Sequence, residues 1–411
     1  MSRDVNCAPA VCFLLGLPRS GTTLLAHLLQ QHPDIAAPPE PWLMLALEAF
    51  GRLRHGHPAG SSLIEAAASE FLGRIDRNMV SRAFADAAYG QYLAAAGKRI
   101  IIDKTPRYWM VLEFLDALYP DAPQILLMRN PYAIAASLKS TWGIPLQAEN
   151  TRSVSVSSLA DLMLRLPDGI ASALADLVLG LPRLAAHRAR QQTQVVQYEL
   201  LVAHPEEEIQ RLVAGLGCEP ISIGPTMEQA DYLLSSSFGD RKILERRTID
   251  GGSVHAWQAQ LSIEEMQTVT DLVGAELMIK LGYGEELRHA QQAGIVDKGR
   301  DVTELYRRIF RIWWDLRASS GIPANASELI SVARQASENA CSPESQHPSE
   351  TKVEASARLE AAMAAPLRNA LSASEAARGT QVEAIRDRDA TIAALRAEIV
   401  RLEQSLKGIE R

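Results

Sequence analysis

The sequence predicts a three-layer α/β domain: a central parallel sheet with helices on both faces, built around a phosphate-cradling loop (P-loop). A C-terminal helical extension and a short coiled coil follow it. Three observations carry this reading. Short apolar runs alternate with stretches of helical spacing, the pattern of a parallel sheet covered on both sides. The first run enters a glycine-bounded turn that leads directly into a helix. From Ile385 onward, an apolar residue recurs at every seventh position.

The first strand is Val11 to Leu15. Gly16 to Gly21 reads as a tight turn, and Thr22 to Gln31 as a helix with Leu24, Leu25, Leu28 and Leu29 on one face. His32-Pro33 ends that helix, and Pro38 to Trp42 is extended. Residues 43–96, rich in alanine and leucine, read as helical. Arg99 to Asp103 is a second strand, followed by Lys104-Thr105-Pro106 and a helix over 107–118. Pro120 to Pro123 is a turn into a third strand, Gln124 to Met128. Arg129-Asn130-Pro131 closes it, and Pro131 suits the first turn of a helix running to Ser140. Val195 to Tyr198 is the fourth strand, with a helix over Pro205 to Gly215 behind it. Ligands of such sheets bind at the carboxyl ends of the strands. The 16–21 loop, the Lys104 turn, Arg129 and Tyr198 all fall at those ends.

The spacing of the first loop is that of Gly-x-x-x-x-Gly-Lys-Ser/Thr, with one change. Gly16 and Gly21 hold the glycine positions and Thr23 the hydroxyl position, but Thr22 stands where the lysine belongs. Arg19 lies inside the loop instead. Backbone N–H groups at the helix start favour an anion. The charge that reaches the terminal phosphates of ATP is missing from its usual place. The loop therefore suits an anionic group of a nucleotide better than Mg·ATP hydrolysis.

Beyond these elements, residues 1–290 form the main domain and 291–337 a helical extension, with an aromatic amphipathic helix over 300–318. Residues 338–380 are a Ser/Glu/Ala/Pro-rich linker. Residues 381–411 form the coiled-coil helix: Ile385, Ile392, Ile399 and Leu406 recur by sevens, and Leu395, Leu402 and Ile409 fill the second apolar position, with Arg388 the early exception. A lone amphipathic helix folding back on the domain is the alternative. The net charge of −7 excludes a general nucleic-acid binder. Cys7, Cys12, Cys218 and Cys341 show no paired spacing, which fits a reducing compartment and neither a zinc site nor a disulfide framework. No apolar stretch approaches the roughly 20 residues of a membrane span. Asp4 and Asn6 stand where a signal peptide carries positive charge, so a soluble cytoplasmic protein is expected.

Residues 12–40, with the wording GLPRSGTTLLAHLLQQHPDI and a following glutamate, resemble the 5′-phosphosulfate loop of the P-loop sulfotransferases. These enzymes use 3′-phosphoadenosine 5′-phosphosulfate (PAPS) as donor and release PAP. The wording is closest to the bacterial and tyrosylprotein-type branch. QILLMRNPYAIAASLKS resembles the family's 3′-phosphate segment, VVQYELLVAHPEEEIQRLVAGLG its third common block, and FGDRKILERRTIDGGSVHAWQAQL the late loop leading to a tryptophan.

The resemblance implies sulfuryl transfer to a hydroxyl by in-line displacement, a reaction of positioning and charge stabilisation. It assigns the donor's oxyanions to Arg19, Ser20, Gly21, Thr22 and Thr23, and the 3′-phosphate to Arg129 and Ser137. A third phosphate anchor falls on Arg241 and Lys242, with Arg246 and Arg247 competing. Tyr198 resembles the tyrosine near the adenine, or packs in the core. Lys104 takes the place of the lysine that approaches the bridging oxygen, and Glu40 that of the base in the tyrosylprotein-type branch. The histidine base of the cytosolic branch has no counterpart in Asp103 to Arg107; His55, His57 and His255 remain rivals to Glu40. Trp257 reads as a lid or core anchor. No metal is required. The expected partner is a small-molecule or glycan acceptor, with residues 385–411 serving a homodimer or docking to another enzyme. A P-loop nucleotide kinase or NTPase, and a non-catalytic scaffold acting through the coiled coil, are the competing readings.

Overall fold

The computed structural model of the chain describes residues 10–50, 61–143, 168–222, 249, 251–299, 302–308, 310, 311 and 314. The linker and the coiled-coil heptads lie outside the described residues. The chain divides into two compact units, residues 1–154 with 168–307, and residues 155–167 with 308–411.

The strands of the first unit are β1 (Ala10–Gly16), β2 (Ile35–Ala36), β3 (Ile100–Lys104), β4 (Gln124–Met128) and β5 (Thr193–Gln197). They form one parallel sheet in the order β2-β3-β1-β4-β5. The helices in the first half are α1 (Thr22–Leu29), α2 (Leu43–Ala49), α3 (Ser61–Leu72), α4 (Arg77–Ala96), α5 (Leu112–Leu118) and α6 (Pro131–Trp142). The second half has α7 (Asp168–Ala175), α8 (Leu181–His187), α9 (Tyr198–Ala203), α10 (Pro205–Gly215), α11 (Gly252–His255), α12 (Trp257–Gln260), α13 (Ile263–Val273), α14 (Ala275–Lys280) and α15 (Gly284–Gln292). Residues 302–308 are also helical, within the stretch expected to be an amphipathic helix.

The alternation of side chains along the strands sorts the layers. Cys12, Leu14, Ile100, Ile102, Ile125, Leu127 and Val196 face one side and share a core with Leu25, Leu28 and Leu29 of α1 and Ile209, Leu212 and Val213 of α10. Phe13 faces the other side, edge-on to Tyr108 at 6.2 Å and to Tyr119 at 5.4 Å between ring centres. There Asp103 accepts hydrogen bonds from the hydroxyls of Tyr89, on α4, and Tyr108. Burial of both faces of β1, β3 and β4 explains why those strands read as apolar runs.

Several boundaries differ from the sequence expectation. Residues 43–96 contain three helices, because Asp76 caps a new start by accepting the Met79 N–H at 3.0 Å. The expected helix over 107–118 is a 3₁₀ turn at Tyr108–Met110 followed by α5. Tyr198 opens α9 rather than ending β5. α6 runs past Ser140 to Trp142 and stops at Gly143, whose φ of +63° suits glycine. Its start is as expected: Asn130 caps Tyr132 N–H at 3.0 Å, with Pro131 in the first turn.

Between α7 and α8 the backbone makes a wide π turn, Asp176–Gly180. Asp176 is buried and accepts from Trp109 Nε1 at 2.6 Å and Arg107 Nε at 3.2 Å. A Cβ on Gly180 would meet Leu17 and Trp109 at 2.9 Å, so this turn presses against the loop after β1.

Burial pushes the Asp176 carboxyl from 3.8 up to about 6, against the opposing pull of Arg107 and Trp109. The folded chain thus holds this proton more tightly than the unfolded chain. The corresponding stability is present below pH 3.8 and is lost as the pH rises through about 6. Asp176→Asn keeps an acceptor for Trp109 and removes the titration. Urea midpoints should show the wild type losing stability relative to the variant across that window; a relative gain there would refute the assignment.

Candidate active site

The site is built where β1 turns into α1. Gly16 ends the strand, and a Cβ there would lie 2.8 Å from Ser20 Oγ and from Thr22 Cγ2. Ser20 folds the loop back on itself, donating to Leu17 O from its N–H at 3.1 Å and its hydroxyl at 2.7 Å. Gly21 takes φ +100° and forms the N-cap of α1, with no side chain capping the first turn. The N–H groups of that turn suit an anion, as the sequence implied. Thr22 is buried, and Thr23 is half-buried beside Lys104.

Arg129, at the exit of β4, is buried against this loop. It donates to Arg19 O at 2.7 Å and to Ser253 O at 3.0 Å, and its guanidinium lies 4.1 Å from the centre of the Tyr198 ring. Tyr198 in turn shares a hydrogen bond with Ser253 Oγ at 2.7 Å, and its ring covers Gly21 so closely that a Cβ would clash at 2.4 Å. Burial lowers the Arg129 pKa from its ordinary value, and its Nε has no partner. Arg19 Nε donates to Ser137 Oγ at 3.1 Å and Arg19 Nη2 to Thr141 Oγ1 at 3.4 Å. Arg19, Arg129 and Ser137, dispersed in the sequence, thus meet beside one loop. Arg19 reaches α6, the helix of the expected phosphate serine.

On the other side of α1, the end of β3 carries Lys104, 1% exposed. Its Nζ donates to Glu40 Oε1 at 3.0 Å and to Thr23 Oγ1 at 3.5 Å. Glu40 and Trp42 have φ of +28° and +56°. With Arg19 at +66°, they are the non-glycine residues of positive φ among those described. Each such conformation costs roughly 1–3 kcal/mol and persists only where its surroundings hold it. All three lie at this site, which is where stored backbone strain concentrates.

Other expected residues fall elsewhere. Arg241, Lys242, Arg246, Arg247, His55 and His57 lie outside the described residues. His255 is exposed on α11. Trp257 is buried, stacked on Tyr132 at 4.9 Å, which makes it a core anchor. His32, Asp34 and Cys218 bring donor atoms within 4.8 Å of one another. His32 Nδ1 accepts the Asp34 N–H, its Nε2 faces Glu219 O at 3.1 Å, and Asp34 pairs with Arg99, so this cluster reads as structural. Sequence reading missed Ser253, Thr141 and Glu199. Glu199 follows Tyr198, accepts the Asn130 N–H at 3.0 Å, and is raised in pKa by burial. Its place directly after Tyr198, which the sequence singles out, was the available signal.

The arrangement suits a doubly anionic nucleotide: an uncapped helix start at Gly21, with two arginines and a serine beside it. The buried Arg129 Nε lacks a partner that such a ligand can bring. The profile of the sulfotransferase family matches residues 11–221. Nodulation protein NoeE of Sinorhizobium fredii (strain NBRC 101917 / NGR234) is 63% identical, the match covering 99% of this chain and 100% of that protein. A putative protein-tyrosine sulfotransferase of Caenorhabditis briggsae is 27% identical over 49% of this chain and 62% of its own length. The sulfotransferase domain from the curacin biosynthetic pathway is 21% identical, covering 67% of this chain and 98% of that domain, with a TM-score of 0.45. The chain belongs to the sulfotransferase family, and it is an enzyme of sulfuryl transfer in a family whose donor is PAPS.

Proposed function

We propose that the chain transfers a sulfuryl group from PAPS to a hydroxyl of a glycan or natural-product acceptor, by in-line displacement and without a metal. The observation that carries the reading is the meeting of two charged sets at one loop. Arg19, Arg129 and Ser137 stand on one side, and the buried Lys104–Glu40 pair on the other. The similarity to a nodulation protein supports a role for the product in nodulation.

In this reading the loop N–H groups with Ser20, Gly21, Thr22 and Thr23 hold the donor's 5′ end. Arg129 and Ser137 hold its 3′-phosphate through a guanidinium fork and a hydroxyl, with Arg241 and Lys242 as further anchors. Tyr198 buttresses Gly21 and Arg129 beside the adenine. The acceptor oxygen forms its bond to sulfur as the bond from sulfur to the 5′-phosphate oxygen breaks. Glu40 takes the acceptor proton. The Lys104 ammonium, within reach of both Glu40 and Thr23, offsets the charge that develops on the departing oxygen. Arg19 adds positive charge at the same loop.

Residues 1–290 would form the catalytic domain, with 291–337 a helical extension, 338–380 a linker and 381–411 an assembly helix. A cytoplasmic site of action agrees with the free, buried Cys12 and Cys218. No described helix is long and apolar enough to cross a membrane.

Calorimetric titration with PAP, beside ATP with Mg²⁺, tests the donor site. PAP should bind without added metal, and Arg129→Met should weaken it about ten- to hundredfold, the worth of a lost charged hydrogen bond. Tighter binding of Mg·ATP would favour a kinase or NTPase instead. Lys104→Met keeps the buried stem and removes the charge. Transfer of labelled sulfate from PAPS to a panel of methyl glycosides should then fall by at least about a hundredfold, with PAP affinity little changed. Undiminished transfer would remove Lys104 from the chemistry. Light scattering of the chain with and without residues 385–411 should show a loss of mass beyond that of the segment; equal assembly states would dismiss self-association through it.

A further inference from the structure

We propose that Tyr108 and Thr105 are positioning residues: their hydroxyls clamp the strained 40–44 segment so that the Glu40 carboxylate meets Lys104. The inference rests on the proposed role of Glu40 as the base.

Lys104 sits on a rigid element, since it is the last residue of β3 in a buried sheet. Glu40 does not. It lies between the short edge strand β2 and α2, in a segment with two left-handed non-glycine residues. Such a segment springs to a commoner conformation unless it is tied down. Pro39 pairs with Lys104 in a single parallel bridge. Two further ties come from side chains that follow β3. Thr105 Oγ1 accepts the Trp42 N–H at 3.2 Å, and Tyr108 Oη accepts the Met44 N–H at 3.3 Å. Both residues are fully buried. The N–H of Tyr108 donates to Thr105 O at 3.1 Å, which fixes the two relative to each other.

What aims the Tyr108 hydroxyl is Asp103. Tyr108 donates its single hydroxyl proton to Asp103 Oδ2 at 2.8 Å, leaving a lone pair for Met44. Tyr89 donates to the same oxygen from α4. A completely buried carboxyl is costly and is tolerated where its hydrogen bonds do something. Here the run Asp103 to Tyr108 carries the cation at Lys104 and, through Asp103, Thr105 and Tyr108, the means of holding its carboxylate partner. A packing role alone needs apolar side chains at 105 and 108; it does not need both hydroxyls on consecutive even positions of the 42–44 backbone.

The test uses the full chain with Tyr108→Phe, Thr105→Val, Thr105→Ser and Glu40→Gln, counting active molecules by PAP stoichiometry. Three quantities are read. They are amide exchange of residues 40–44, reductive methylation of Lys104, and PAP release from PAPS in the presence of the glycoside panel. Tyr108→Phe and Thr105→Val should speed exchange of the Trp42 and Met44 amides about tenfold or more and expose Lys104 to methylation. Turnover per PAP site should fall about tenfold, with the Kd for PAP within about twofold of wild type. Thr105→Ser, which restores the hydroxyl, should behave as wild type. Should Phe at 108 fail to fold, the Thr105 pair carries the same comparison. The proposal is overturned if exchange and methylation stay at wild-type levels, or if PAP affinity and turnover fall together. Wild-type turnover by Glu40→Gln would overturn the base assignment, while the exchange and methylation results still decide the clamp.

Discussion

A guanidinium buried against a loop carbonyl holds the site together. Arg129 is 6% exposed and lends its hydrogen bonds to Arg19 O and Ser253 O while resting on the Tyr198 ring. Taking a charge out of water is expensive, and burial accordingly lowers the Arg129 pKa. The contacts that offset this cost come from three places: the loop after β1, the start of α9 and the short helix α11. Through Arg129, at the exit of β4, the loop is thus tied to both helices. That is the pre-organisation that charge stabilisation requires, because donors fixed in advance need no reorganisation as the reaction proceeds.

The two glycines of the loop serve this constraint in different ways. Gly16 lacks a side chain because Ser20 and Thr22 occupy the space; Gly21 lacks one because the Tyr198 ring does. Tyr198 is thus both the platform for Arg129 and the wall behind the helix start. The wide π turn at Asp176–Gly180 presses on Leu17 from another direction. Rigidity at the loop comes from this packing together with the two hydrogen bonds that Ser20 donates to Leu17 O.

The second half of the site obeys a different logic. Lys104 and Glu40 form a buried ion pair, which is poor evidence for stability because desolvation cancels much of the attraction. Its position beside Thr23 makes chemical sense in the proposed reading, where the pair brings a base and a cation to the helix start assigned to the donor. Strain at Glu40 and Trp42 is the counterpart of this arrangement. A relaxed extended segment after β2 would carry the carboxylate away from the strand end.

The fold and one side of the site were legible in the sequence. The apolar runs at Val11, Ile100 and Gln124 mark strands because sheets covered on both faces demand unbroken apolarity. Gly16 to Thr23 declares a phosphate loop because so few backbone paths turn a strand into a helix in that space. Arg129 and Lys104 stood out at the strand ends, and the resemblance supplied the roles expected of them; Lys104 proves to be the last residue of β3. What the sequence could not show is which distant groups share one point. That Arg19 reaches Ser137, that Ser253 joins Arg129 to Tyr198, and that Tyr108 and Thr105 hold the Glu40 segment are long-range facts. Periodicity and local spacing encode only which face a residue presents along its own element. The order β2-β3-β1-β4-β5 and the packing of helices across it decide which faces meet, and the candidate site exists only once they do.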